Sequence, residues 1–138
     1  MNDRYLFRAK RIDNGEWVEG FLVKKHGLFF IYDIINSDTC RQSNYDVDPS
    51  TICQCTGLRD EDGKKIFEGD IVGYIDCTST ENGYSEHYCR GLVAWDEETA
   101  SFQVTERLSA ESYEVLDRGC NVLGNIFDNP ELLEVDHE

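Results

Sequence analysis

The sequence predicts a mostly β protein: one or two small barrel-like β-domains followed by a short C-terminal helix. Three observations predict it. Apolar and aromatic residues recur in short runs, either at period two or as β-branched stretches. Turn pairs such as Asn14-Gly15, His26-Gly27 and Asp62-Gly63 separate those runs. Strands do not alternate with long amphipathic helices, which argues against a doubly wound nucleotide-binding architecture.

The elements follow in order. Tyr5, Phe7 and Ala9 alternate with Arg8 and Lys10, the period of a half-buried strand. Asp13-Asn14-Gly15 then reverses the chain, because Asn and Gly tolerate positive φ. Trp17, Phe21 and Val23 mark a returning strand, and His26-Gly27 turns again. Leu28 to Ile35 is apolar on both faces and reads as a central strand. Residues 36–50 are polar and predict a loop ending at Asp48-Pro49-Ser50. Thr51 to Leu58 is extended, Asp60–Gly63 turns, Ile66-Phe67 is a short strand, and Glu68-Gly69-Asp70 bends into a strand over Ile71 to Ile75.

Residues 77–87 are small and polar and predict an exposed loop, which would split the single domain into two β-subdomains. Leu92–Trp95 and Phe102–Val104 flank Asp96–Thr99 and predict a hairpin. Ala110–Leu116 fits a helical turn or a strand equally well. Val122 to Phe127 is extended. Asn129-Pro130-Glu131 predicts the start of the C-terminal helix, with Asn as cap and Pro at the first helical position. Val135 to Glu138 is expected to fray.

Composition narrows the functional classes. The chain of 138 residues is 40% hydrophobic with sixteen aromatics, enough to bury a core. Its 28 acidic against 13 basic residues give a net charge of −15. Nucleic-acid affinity rests mostly on Lys and Arg displacing phosphate counterions, so direct nucleic-acid binding is not expected. The first quarter is locally basic through Arg4, Arg8, Lys10, Arg11, Lys24 and Lys25. No stretch reaches the roughly 20 apolar residues of a membrane span, and the N-terminus lacks a signal-like apolar segment. The expected location is therefore the cytoplasm, without membrane attachment.

Three segments stand out together. The first is Tyr5-Leu6-Phe7-Arg8-Ala9-Lys10 followed by Trp17-Val18-Glu19-Gly20. The second is Thr56-Gly57-Leu58-Arg59-Asp60 with Asp62-Gly63-Lys64-Lys65-Ile66-Phe67-Glu68-Gly69-Asp70-Ile71-Val72. The third is Val122-Leu123-Gly124-Asn125-Ile126-Phe127 running into Asn129-Pro130-Glu131-Leu132-Leu133. In this order and spacing they resemble the YopX family of bacteriophage and prophage proteins. The resemblance implies a mostly β fold with a central part like an SH3-type barrel, a phage or prophage setting, and no settled activity. Cys53 and Cys55 stand where the family pattern has a glycine and an aromatic residue, which weakens a special role for that pair.

The residues of the second segment are those of a bend. Gly57, Asp62, Gly63, Gly69 and Asp70 form a structural turn motif: Asp62-Gly63 reverses the chain, and Asp70 is placed to accept from nearby amides. Leu58, Ile66, Phe67, Ile71 and Val72 can then pack together.

Candidate chemistry is sparse. An EF-hand register with Gly63 sixth would put Leu58 first and Gly69 twelfth, where oxygen ligands are required, so it fails. A looser Mg²⁺ cluster of Asp60, Asp62, Glu68 and Asp70 would make the protein a metal-dependent hydrolase; a solvated turn is the simpler reading. The six cysteines show no CxxC, and a zinc site from Cys53, Cys55, His87 and Cys89 would need an unsupported coincidence of folding. Disulfides are not expected in the cytoplasm. His87 and Cys89 would share a strand face as a conceivable dyad, but no nucleophile elbow, Walker loop, GxGxxG or HExxH is present. No catalytic residue, metal or cofactor is assigned.

What is left is contact with other proteins. Trp17, Tyr32, Tyr74, Tyr84 and Tyr88 are the candidate binding residues, since aromatics concentrate binding energy at interfaces. The expected partner is another protein or a second copy of the chain, because edge strands pair readily. The alternative is an acidic nucleic-acid mimic that occupies a basic host enzyme.

Overall fold

The computed structural model describes residues 3–36, 41–105 and 119–133. Among these residues ten strands lie in two antiparallel sheets, as the alternating runs require. They are β1 (Phe7–Lys10), β2 (Trp17–Lys25), β3 (Leu28–Asn36), β4 (Arg41–Asp46), β5 (Cys53–Arg59), β6 (Lys65–Phe67), β7 (Asp70–Thr80), β8 (Gly83–Asp96), β9 (Ser101–Thr105) and β10 (Asn121–Asn125). One sheet has the order β4-β3-β2-β1-β5-β6 and the other β10-β7-β8-β9. The chain divides into two compact units, Met1–Gly57 and Leu58–Glu138. Residues 77–87, where the sequence suggested a division, are strand and turn inside the second.

In the first unit the turn chemistry fixes the register. His26 (φ 52°) and Gly27 (φ 79°) both take left-handed backbone, the geometry of a two-residue hairpin, and so pair Lys25 with Leu28. That register places Ala9, Ile31 and Val47 at the centre of the core, with Phe7, Val18, Leu22, Phe29, Tyr45 and Ile52 packed around them. On β2 it is therefore Val18 and Leu22 that join this cluster, while Trp17, Phe21 and Val23 alternate to the opposite face.

In the second unit the core is Ile66, Val72, Tyr74, Val93, Val104 and Cys120, flanked by Cys89, Phe102 and Val122. Each fully buried aliphatic side chain here contributes about 1.5–3 kcal/mol. The β8–β9 hairpin across Asp96–Thr99 forms as expected, with Trp95 edge-on to Phe102 at 5.0 Å.

Two expectations are corrected. Residues 77–87 are not a loop: β7 and β8 pair without interruption from Ile71↔Leu92 to Thr80↔Gly83, turning on Glu81-Asn82. Small β-compatible residues such as Cys, Thr, Ser and Tyr sustain strand pairing there, so their polarity does not signal irregular structure. Residues 36–50 include β4, which pairs with β3 from Asn36↔Arg41 to Phe30↔Asp46. The expected short C-terminal helix begins as a 3-10 helix over Pro130–Leu133, where the described residues end. Among the described residues the strand pairings give two antiparallel sheets without a closed barrel, and the Ala110–Leu116 and Val135–Glu138 expectations lie outside the described residues.

Candidate interaction surface

The bend around residues 57–72 is built by two carboxylates turned inward. Asp60, 8% exposed, accepts from the amides of Asp62 (2.9 Å) and Lys64 (2.8 Å) through Oδ1 and from that of Val122 (3.0 Å) through Oδ2. Burial by itself would raise its pKa. The three backbone bonds and the Lys64 charge outweigh burial and hold the carboxyl below the ordinary aspartate value. Asp70, 1% exposed, accepts from the Phe67 amide at 2.8 Å and fixes the second bend. Gly57, Gly63 and Gly69 all have φ between 83° and 88°, where a side chain is strained. Asp62 itself is exposed, so Asp60 rather than Asp62 anchors the first turn. Sequence reading overlooked that role, because the bond to Val122 spans 62 residues.

Four cysteines of the described residues, Cys53, Cys55, Cys89 and Cys120, lie in or against the core. Cys53 and Cys55 are buried on β5, and Cys89 packs against the second cluster. Burial, followed by the charges of Asp60, Glu61 and Asp70, pushes the Cys120 thiol up to about 11.

The five aromatic candidates part company. Tyr74 is 6% exposed within the second core and is not contact surface. Tyr32 is half-buried on β3, opposite Phe21. Trp17 is half-buried between two cations of β1, with Arg8 at 4.9 Å and Lys10 at 5.3 Å from its ring. Tyr84 and Tyr88 are 63% and 61% exposed on β8. They lie on the face opposite Val93 and Cys89, because side chains alternate along a strand.

That face carries more than the tyrosines. Ile75, 58% exposed, sits directly opposite Tyr88. The Tyr88 ring lies across Gly73, where a Cβ would collide with its hydroxyl and meet Leu123 Cδ1 at 3.0 Å. Leu123 is itself exposed, so Ile75, Tyr88 and Leu123 make one apolar patch floored by Gly73, and Tyr84 extends it along β8. Ile75 and Leu123 were absent from the sequence expectation; the odd–even alternation after Val72 and Tyr74 was the signal for Ile75. Arg90 bounds the patch, with its Nη1 donating to the Leu132 carbonyl at 3.4 Å.

Charge is divided as sharply. Residues 1–57 hold seven Lys/Arg against eight Asp/Glu, net −1, and residues 58–138 hold six against twenty, net −14. The aromatic patch thus belongs to the unit that carries nearly all the negative charge.

Residues 6–134 match the YopX protein family. The chain belongs to the YopX family. This YopX chain is also similar to the crystal structure of protein EF1440 from Enterococcus faecalis, with 26% identity, 93% of this chain and 96% of that chain covered, and a TM-score of 0.54. No curated protein matches it. Among the described residues no helix is long and apolar enough to cross a membrane.

Proposed function

We propose that this YopX-family protein works by non-catalytic contact with another protein, in a phage or prophage setting, through the outer face of the β7–β8–β10 sheet. One observation carries the reading: Ile75, Tyr84, Tyr88 and Leu123 are exposed together on one strand face, although the same sheet buries its other face. Grouped exposed apolar residues mark interaction sites, whereas scattered ones do not. The net charge of −14 on that unit favours a basic partner and opposes face-to-face self-association.

The test is capture of a protein from bacterial lysate, purification of that partner, and titration against variants. Ile75→Asp should weaken binding at least about tenfold, as expected for a centrally placed contact residue. Leu28→Asp, at an exposed apolar position of the first unit, should leave it unchanged. Equal loss from both, or loss from neither, overturns the assignment of this face.

The acidic concentration also favours a second reading, an acidic mimic that occupies a basic nucleic-acid-binding enzyme. Binding of that kind collapses as salt rises, while binding seated on the apolar patch persists. Light scattering at low and high salt reads out the remaining possibility, a second copy as occupant.

A further inference from the structure

The geometry points to a narrower occupant of this face: we propose that the strip Tyr84–Glu86–Tyr88 on β8 receives arginine side chains of a basic partner segment. The inference rests on the reading that the face binds protein, and it names the chemistry of what is bound.

The three residues are successive outward positions of one strand. They pair across to Ser79, Cys77 and Ile75 on β7, so all point away from the buried cluster. Same-face neighbours on a strand are about 7 Å apart. A guanidinium laid on either tyrosine ring is then within reach of the carboxylate between them. The Tyr84 hydroxyl donates to Glu86 Oε1 at 2.8 Å, which orients that carboxylate and leaves acceptor capacity on an exposed group. Ring faces attract cations through their quadrupole, and a carboxylate beside a ring adds a charge-assisted hydrogen bond. Ile75 and Leu123 supply an apolar bed for the aliphatic stem of the incoming side chain.

The chain already uses this chemistry within its first unit. Arg8 on β1 lies over Trp17 on β2 at 4.9 Å, and Arg11, just after β1, lies over Tyr45 on β4 at 4.6 Å. On β8 the rings are present and exposed. Arg90 follows on the same face of the strand and bonds to the Leu132 carbonyl. The net charge of −14 draws cations toward the unit and repels phosphate. Arginine is favoured over lysine because its planar group stacks and hydrogen-bonds at once.

The probe is a fluorescein-labelled peptide of alternating Arg and Ser, about ten residues long, with the Lys/Ser peptide as its pair, followed by anisotropy at 100 mM salt. The Arg peptide should bind several-fold more tightly than the Lys peptide. Tyr84→Ala, Glu86→Gln and Tyr88→Ala should each weaken it roughly three- to thirty-fold, the range of a partly desolvated cation–ring or charge-assisted contact. Tyr88→Phe should retain binding, since it keeps the ring. Glu97→Gln/Glu98→Gln removes two charges from the exposed β8–β9 turn and should cost less than about twofold. Equal binding of Lys and Arg peptides, indifference to the tyrosines, or an equal loss from the Glu97/Glu98 pair overturns the proposal. If Ile75→Asp abolishes capture of a partner while the Arg peptide fails to bind, the face binds protein and only the arginine assignment falls. If the peptide binds through the tyrosines and captured partners ignore Ile75, the broader reading falls instead.

Discussion

Replacing Asp60 by alanine removes the acceptor of three backbone N–H groups at once, those of Asp62, Lys64 and Val122. The three do not weigh equally. Asp62 and Lys64 sit in an exposed turn where water can accept from the freed amides, whereas Val122 lies half-buried against the core. A hydrogen bond to a charged group contributes about 1.5–3 kcal/mol and an orphaned buried donor costs about 1–3 kcal/mol. Water replaces the carboxylate at the exposed pair, which together count for about 1.5 kcal/mol, and Val122 adds about 2 kcal/mol, a loss of about 3–4 kcal/mol for Asp60→Ala. Asp60→Asn keeps the Oδ1 contacts to Asp62 and Lys64 but sets an amide N–H₂ against the Val122 N–H, a loss of about 2 kcal/mol.

Urea unfolding measures both, with the fluorescence of Trp95 reporting on the second unit. The alanine variant should melt roughly 10–15 °C below wild type. Acid supplies an independent check. The folded pKa of Asp60 lies below its unfolded value, so its contribution is complete above about pH 4. It is lost as falling pH protonates the folded carboxylate, and the wild-type and Asp60→Asn curves should converge there. An alanine variant within about 0.5 kcal/mol of wild type, or an asparagine variant worse than alanine, refutes the reasoning.

Three further outcomes are expected. Gly20→Ala would drive a methyl into the Tyr32 carbonyl of the neighbouring strand, a backbone group that cannot swing away, and should cost about 3 kcal/mol by urea titration. Gly73→Ala meets the far end of the Tyr88 side chain, which can move. Its melting point should stay within about 3 °C of wild type while Arg-peptide affinity falls several-fold, less than for Tyr88→Ala. Cys120, with its thiol pushed up to about 11 by burial and neighbouring acids, should resist Ellman's reagent at pH 8 until urea unfolds the second unit. Labelling of native Cys120 at the unfolded rate, located by peptide mass mapping, would contradict that.

Much of the strand order was legible because short-range physics set it. His26-Gly27, Asp60–Gly63 and Asp96–Thr99 each specify a reversal through local backbone preference, and the strands on either side follow. The failures share a cause. Arg41–Asp46 and Cys77–Ser85 are polar strand sequences, held by neighbours that the sequence does not announce: β4 by β3, and the distal β7–β8 ribbon by its own cross-strand pairs. The binding candidates divided for a related reason. An aromatic residue on a strand signals that a face is covered or offered, but not which. Tyr74 and Tyr88 both lie on long paired strands and differ in parity relative to Val72 and Val93.

The same side-chain type does two jobs in the second unit, and the difference is how its oxygens are used. Asp60 engages both oxygens with backbone N–H groups and Asp70 gives Oδ2 to the Phe67 amide; neither is turned outward, and both are nearly sealed from water. A metal-dependent hydrolase built on these acids would ligate through an Asp60 that already accepts from the three amides holding the turn and β10, so ligation and folding would draw on one group. Glu86 is the opposite case. It is exposed, takes its bond from a tyrosine hydroxyl, and keeps acceptor capacity toward solvent. If carboxylates here recognise anything, the outward ones beside rings are placed to do so and the inward ones are not. Substituting Asp60 should therefore change stability, and substituting Glu86 should change binding while the melting temperature stays put.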